Sequence, residues 1–181
     1  MIRTAVSVAL LCVSGACVVA VAAAPAEIAP AEVAVGQLLR EATLQGLNGP
    51  ARKLSGFRGR PLIINVWASW CGPCRAETAS LERLAWLDER GRFTIIGIST
   101  DDYADLARNW LKDSNATINQ FIDQRLQMET MLGASRLPLT VLVDARGRVL
   151  DKIYGAREWD SPDSLQLIAR SFGLPVLAPS R

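Results

Sequence analysis

Two cysteines separated by two residues, Cys71 and Cys74, constrain this chain more than any other feature of its sequence. The apolar run Ile63–Trp67 before them predicts a buried strand, and an apolar pattern with helical spacing follows them from Pro73 to Glu89. The cysteines therefore lie where a helix begins. A helix N-terminus presents unpaired N–H groups and a partial positive charge, which stabilise a thiolate. The pattern predicts a reversible dithiol in which Cys71 is the nucleophile and Cys74 is the resolving thiol.

Other roles for these cysteines are disfavoured by the rest of the composition. The chain has four cysteines and no histidine, and Cys12 and Cys17 lie in an apolar N-terminal segment. Zinc needs about four ligands, so a metal site is not expected. A structural disulfide that closes so short a loop would stabilise the fold little. The lack of histidine also excludes hydrolases that use a Ser-His or Cys-His pair. We expect redox chemistry at the two cysteines, with no metal and no cofactor.

The N-terminus predicts export. Arg3 is followed by an uncharged stretch from residue 4 to 26, which is typical of a secretory signal or of a membrane-spanning anchor. Cleavage after Ala26 fits the rule for small residues and is favoured, although residues 4–24 also reach the ~20 residues that a spanning helix needs. Cys17 loosely resembles a lipoprotein-processing site, but the apolar run continues beyond it. Each alternative places residues from 27 onward in the periplasm or another extracytoplasmic space, either secreted or anchored to the inner membrane.

The remaining sequence reads as one domain with short flanks. We expect a leader over residues 1–26, an Ala- and Pro-rich linker over 27–36, the domain over 37–175 and a tail over 176–181. Half of the 181 residues are apolar, which suffices for one hydrophobic core. The formal net charge is +2 and no basic patch is evident, so no nucleic-acid partner is expected.

Apolar periodicity and turn signals predict an alternation of strands and helices. In chain order they are a hairpin over 41–47 and 51–54, a strand over 62–67, a helix over 73–89, a strand over 93–99, a helix containing Leu106, Trp110 and Leu111, an extended piece over 118–122, a helix over 126–132, a hairpin over 139–144 and 149–154, and a helix over 161–172. This order predicts an α/β fold in which a central mixed β-sheet is flanked by helices on both faces, with an N-terminal β-hairpin extension.

Three sequence blocks, residues 65–77, 137–140 and 144–147, carry a resemblance to a known family. Together they resemble the exported TlpA/ResA group of thioredoxin-like proteins, over roughly residues 37 to 172. The resemblance implies the thioredoxin-like fold and a thiol–disulfide oxidoreductase activity.

The resemblance also implies roles for individual residues. Pro138 would follow a cis peptide bond beside the dithiol, keeping it free of metal, and with Leu137 would offer backbone groups to a substrate peptide. Glu77 would be the acidic residue that influences the cysteines and relays protons, or simply a first-turn glutamate favoured by the helix dipole. Thioredoxin carries a buried aspartate where this chain has Asn65, so Glu77 is the carboxylate available here.

The surroundings of the motif complete the set of candidate residues. Trp70 would shield the dithiol and contact substrate together with Gly72 and Pro73, although an aromatic residue after a buried strand is also normal in a core. The other four tryptophans, Trp67, Trp86, Trp110 and Trp159, are assigned to packing. Asp101 and Asp102 are assigned to capping the helix that follows them.

The sequence between the cysteines bears on the direction of electron flow. Gly72-Pro73 resembles reducing thioredoxins more than oxidants, so we expect a protein-disulfide reductase. The resemblance implies disulfide-containing exported clients and a thiol electron donor in the membrane, with cytochrome c maturation or copper-centre assembly as the narrower alternative. A non-catalytic thioredoxin-like module that binds a partner is the rival from another class. A peroxiredoxin fits less well, because its Pro-x-x-x-Thr-x-x-Cys arrangement is absent.

Overall fold

The computed structural model describes residues 32–88 and 90–176 of the chain. The leader over 1–26, with its signal, lipoprotein and anchor alternatives through residues 4–24, Cys12 and Cys17, lies outside these ranges, as does most of the tail. Within the described ranges, no helix combines the length and apolar character needed to cross a membrane.

Seven strands and four helices make up most of the regular structure in the described ranges. Their bounds are β1 Thr43–Gly46, β2 Arg52–Lys53, β3 Leu62–Trp67, α1 Gly72–Leu87, β4 Thr94–Ser99, α2 Ala104–Asp113, β5 Asn119–Ile122, α3 Gln127–Leu132, β6 Leu139–Val143, β7 Val149–Tyr154 and α4 Pro162–Phe172. A 3-10 helix, Leu54–Phe57, lies between β2 and β3. Every predicted element is present.

The strands form one mixed sheet in the order β2-β1-β5-β4-β3-β6-β7. β3 pairs in parallel with β4, and β4 with β5, whereas the other neighbours are antiparallel. Trp67 at the end of β3 lies opposite Ser99 at the end of β4. Because parallel strands end at the same edge of a sheet, the cysteine motif after β3 and Asp101 after β4 come together at this edge.

Helices cover both faces of the sheet, because successive side chains of a strand point to opposite faces. Ile63 belongs to a buried cluster with leucines and isoleucines of α1 and α4. Ile64, on the other face, belongs to a cluster with Met128 and Leu132 of α3. α2 packs beside α1, since its Leu111 shares a third cluster with Trp67 and the cysteines. The predicted sheet with helices on both faces is confirmed.

The N-terminal hairpin forms, but its second strand is short. β1 pairs with only two residues of β2 before the chain turns into the 3-10 helix, which buries Leu54 and Phe57 in the core. The described part of the predicted linker, residues 32–36, also contacts the domain. Val33 is 2 % exposed and donates its backbone N–H to the carbonyl of Met131, 2.9 Å away. Packing against the domain therefore extends to at least Val33.

Candidate active site

The first turn of α1 holds the two cysteines. Cys71 is the N-cap residue of α1, and its Sγ accepts a hydrogen bond from the backbone N–H of Cys74 at 3.2 Å. Pro73 lies in the first turn, where the N–H it lacks would have no partner within the helix. The two cysteines are joined by a disulfide, with Cα atoms 5.3 Å apart. Cys71 is 5 % exposed and Cys74 is 1 % exposed, so the first cysteine is the one nearer to solvent.

A groove at the sheet edge opens onto Cys71. Its volume is about 550 Å³, and it is lined by Trp70, Cys71, Gly72, Pro73, Thr100, Glu129, Ala134, Ser135 and Leu137. Five of the predicted site residues thus share one surface. The peptide bond between Leu137 and Pro138 is cis, as expected, and Pro138 is buried and does not line the groove. Trp70 is 71 % exposed, which excludes the core role considered for it and leaves its ring available to a bound molecule.

Glu77 lies one turn after Cys74 but does not line the groove. Its side chain is buried and accepts three hydrogen bonds, from Asn65 Nδ2 at 2.7 Å, Trp159 Nε1 at 3.1 Å and the backbone N–H of Arg157 at 3.1 Å. Burial raises the pKa of the Glu77 carboxyl, and the three hydrogen bonds oppose that rise. Asn65 also donates to Thr140 Oγ1 at 3.1 Å. Glu77 therefore joins α1 to β3, and through Asn65 to β6.

The assignment of Asp101 to helix capping is wrong. Tyr103 is the N-cap residue of α2 and makes no side-chain capping bond. Asp101 is instead 1 % exposed, and its carboxylate accepts hydrogen bonds from the backbone N–H of Ser69 at 2.9 Å, from Ser69 Oγ at 2.6 Å and from Ser99 Oγ at 2.6 Å. It thus fixes Ser69, two residues before Cys71. Asp102, its exposed neighbour, does not cap α2 either.

Three of the four tryptophans assigned to packing do pack. Trp67 and Trp159 are buried, and Trp110 lies against Trp67 with ring centroids 4.8 Å apart. Trp67 also donates from Nε1 to Oε1 of Gln120 at 2.9 Å, directly beneath the motif. Trp86 contradicts the prediction, because its side chain is 73 % exposed on the outer surface of α1.

Four lining residues were not expected from the sequence. Ala134 and Ser135 come shortly before Pro138, so their place beside the dithiol could have been inferred from that proline. Thr100 follows β4, whose end meets that of β3. Glu129 lies on α3, and no local pattern connects it to Cys71. Among residues 32–88 and 90–176, no group of three or more His, Cys, Asp or Glu side chains could hold a metal ion.

Comparison with known proteins agrees with this geometry. The redoxin family model matches residues 34–168. The thiol:disulfide interchange protein DsbE of Vibrio cholerae serotype O1 is 34 % identical over 131 residues, which are 69 % of this chain and 69 % of the relative. The thiol-disulfide oxidoreductase ResA of Geobacillus thermodenitrificans is 26 % identical over 122 residues, which are 67 % of this chain and 70 % of the relative.

A solved structure shows the same fold. It is that of a Chlorobium tepidum protein assigned as a thiol:disulfide interchange protein DsbE, and it superposes with a TM-score of 0.71 at 25 % identity. The superposition covers 77 % of this chain and 99 % of the other. With a thioredoxin-like fold, a Cys71–Cys74 pair at the start of α1 and relatives of this kind, the chain belongs to the redoxin family and is a thiol-disulfide oxidoreductase of the DsbE and ResA type.

Proposed function

We propose that this protein reduces disulfides of exported client proteins, with Cys71 as the attacking thiol and Cys74 as the resolving thiol. The observation that carries the proposal is the unequal placement of the two sulfurs. Cys71 lines the groove, whereas Cys74 is 1 % exposed and lies one turn further into α1. A bulky disulfide in the groove meets Cys71 first, and only an intramolecular attack brings Cys74 into the reaction.

The proposed exchange has two steps. The Cys71 thiolate attacks one sulfur of the client disulfide, whose S–S bond breaks, and the departing client thiolate takes up a proton. The Cys74 thiolate then attacks Cys71 Sγ, forms the Cys71–Cys74 disulfide and releases the second client thiol. The client gains two electrons and the protein loses two. A membrane thiol donor would restore the dithiol by the same exchange in the opposite direction.

The start of α1 favours the thiolate that this reaction needs. Cys71 Sγ already accepts the N–H of Cys74, and the helix N-terminus places further N–H dipoles around it. These groups are fixed before a client binds. Stabilisation of the attacking and leaving thiolate therefore requires no rearrangement of α1.

The opposite wall of the groove suits an extended client segment. The backbone N–H and C=O of Leu137 make no hydrogen bond within residues 32–88 and 90–176. A client strand could pair with them, as strands pair at a sheet edge. Trp70, Gly72 and Pro73 would contact the same segment from the side of α1, and Leu137 and Pro138 would contact it from the opposite side.

Glu77 is proposed to assist proton movement during the exchange. Its buried carboxyl has a raised pKa and lies one turn after Cys74 on α1. A carboxyl of that kind can take a proton from the resolving thiol and return it. Its hydrogen bonds to Asn65, Trp159 and Arg157 fix its position.

The proposal includes export of the protein from the cytoplasm. The leader over residues 1–26 supports it, with residues 27–36 as linker and the domain outside the cytoplasm, secreted or anchored. The resemblance to the TlpA/ResA group supports cytochrome c maturation or copper-centre assembly as a narrower client class.

A trapping experiment tests the thiol roles. The probe is a synthetic peptide homodimer joined by one disulfide, incubated with pre-reduced protein. We expect Cys74→Ser to accumulate a mixed disulfide through Cys71, seen as an added peptide mass, because no resolving thiol remains. Cys71→Ser should form no adduct at Cys74, as located by peptide mapping, and the wild type should release the reduced peptide. A peptide adduct on Cys71→Ser at the same rate as on Cys74→Ser would contradict the assigned order.

A further inference from the structure

The charge on the walls of the groove beside Cys71 is negative and comes from one residue, Glu129. Of the residues that line the groove, only Glu129 is ionisable besides the cysteine itself, and the others are apolar or neutral. Glu129 lies on α3, whereas Cys71, Gly72 and Pro73 belong to the start of α1. The carboxylate and the disulfide therefore occupy different walls of one groove. A client cysteine that reaches Cys71 brings its neighbouring residues close to Glu129.

Glu129 has no counter-charge in the described part of the chain. Its carboxylate makes no hydrogen bond or ion pair there, whereas its backbone N–H donates to Asp123 at 2.8 Å and its backbone carbonyl accepts from the N–H of Ala134 at 2.9 Å. Arg136, near the same wall, does not line the groove, and its guanidinium lies over the Tyr154 ring, 5.4 Å from the centroid. A half-buried carboxylate without a partner is a place where a bound cation adds favourable energy.

The neighbourhood of Glu129 strengthens this negative character. Asp123 accepts the backbone N–H groups of Gln127, Met128 and Glu129 at the start of α3. Burial, followed by the charge of Asp123, raises the pKa of Glu129. Both effects penalise the ionised form of Glu129, and the attraction of a cation brought by a client would offset that penalty.

We propose that Glu129 is a specificity-determining residue, which selects client segments carrying arginine or lysine next to the reacting cysteine. This inference rests on the proposed disulfide reductase function and names the chemistry of its preferred clients. A client with aspartate or glutamate in that place would meet like charge and react more slowly. Glu129 would contact the client as the client binds in the groove. The preference therefore affects the rate of the first exchange step, in which Cys71 attacks the client disulfide.

Three peptide homodimers test the proposal. Each is built from Ac-Gly-Xaa-Cys-Xaa-Gly-amide and joined by one disulfide, with Xaa as Arg, Gln or Glu. Pre-reduced full-length protein is mixed with each dimer, and the single-turnover rate of peptide release is measured at low ionic strength. We expect wild type to reduce the Arg dimer faster than the Glu dimer. Glu129→Gln should lower that ratio by about two- to fivefold, the range for one partly exposed charge pair.

The Arg and Glu dimers differ in intrinsic reactivity, but this difference is the same for every variant. It therefore cancels when the Arg-to-Glu rate ratio of wild type is divided by that of the variant. Asp163→Asn is the matched control, since Asp163 is an exposed carboxylate on α4 that lies outside the groove. It should leave the ratio unchanged, and added salt should reduce the wild-type preference.

The proposal would be overturned if the ratio of the reduction rates of the Arg and Glu dimers were the same in wild type and Glu129→Gln. It would also be overturned if Asp163→Asn lowered that ratio as much as Glu129→Gln does. The Gln dimer separates this failure from failure of the proposed function. If wild type reduces the Gln dimer but shows no effect of Glu129, the reductase function stands and the specificity falls. If wild type leaves all three dimers oxidised, both are contradicted.

Discussion

Glu77 has a structural role through its buried hydrogen bonds, beside the proton-relay role proposed for it above. Three donors point at its two oxygens, from Asn65, Trp159 and Arg157, an arrangement that suits a carboxylate, which only accepts. Burial acts in the opposite direction and favours the protonated form. The net effect is a raised pKa of the Glu77 carboxyl, a property that suits the proton relay proposed for it.

Glu77→Gln tests this balance through stability. The amide keeps one acceptor but turns an N–H2 group towards donors, so we expect unfolding free energy to fall by about 1–3 kcal/mol. The pH dependence should change as well. Because the folded-state pKa of Glu77 is raised, the folded protein binds more protons than the unfolded chain above the ordinary glutamate pKa of about 4.3, and stability falls as pH rises through that range.

Glu77→Gln should remove part of that fall, and the buried Asp123 and the half-buried Glu129, whose pKa values are also raised, should account for what remains. Urea unfolding at a series of pH values measures both effects. The same decline of stability with pH in wild type and variant would contradict a raised pKa at Glu77.

At the scale of elements, the reactive turn is held by connections between strand ends. β3 leads into Ala68-Ser69-Trp70 and then α1, while β4 ends at Ser99 and leads to Asp101. The Asp101 carboxylate joins the two connections through three hydrogen bonds. The position of Trp70 and Cys71 at the groove thus depends on β4 as well as on β3.

Asp101→Asn should loosen this junction. The amide leaves one acceptor oxygen for three donors, so at least one hydrogen bond is lost or reversed, and we expect a loss of about 1–3 kcal/mol in unfolding free energy. Reduced Asp101→Asn should also react with the Gln peptide dimer more slowly than wild type. Asp102→Asn is the control, because the Asp102 side chain is exposed and makes no hydrogen bond in the described ranges. Equal stability of the two variants would argue against a positioning role for Asp101.

Strands and helices were predictable because burial imposes periodicity over several neighbouring residues, as in β3 and β4. The position of the cysteine pair followed from its local motif, whereas the cis bond before Pro138 was implied by the resemblance to the TlpA/ResA group. Asp101 was misassigned because its partner Ser69 lies 32 residues away, and capping was the nearest local explanation. Glu129 reaches the groove only through the packing of α3, and the exposure of Trp86 depends on which face of α1 lacks a neighbour. Such features depend on tertiary structure, which apolar spacing does not encode.

At the scale of the whole molecule, the described ranges place the Cys71–Cys74 pair at one edge of the sheet, where Cys71 lines the groove. The sheet, with helices on both faces, holds α1 and the loop before Pro138 against each other through shared clusters that include Leu137. The unequal burial of Cys71 and Cys74 follows from this arrangement. The direction of electron flow depends on the relative stability of the dithiol and disulfide forms, which the potential of the pair measures.

The equilibrium reduction potential of Cys71–Cys74 tests the central claim most directly. Full-length protein is equilibrated in a series of glutathione or dithiothreitol redox buffers, and the reduced fraction is determined by thiol alkylation and mass. The account predicts a value near that of thioredoxin, ~−270 mV, as suits a reductase recharged by a membrane donor. A value near ~−120 mV, typical of a strong oxidant, would contradict it and make the protein an oxidase of its clients.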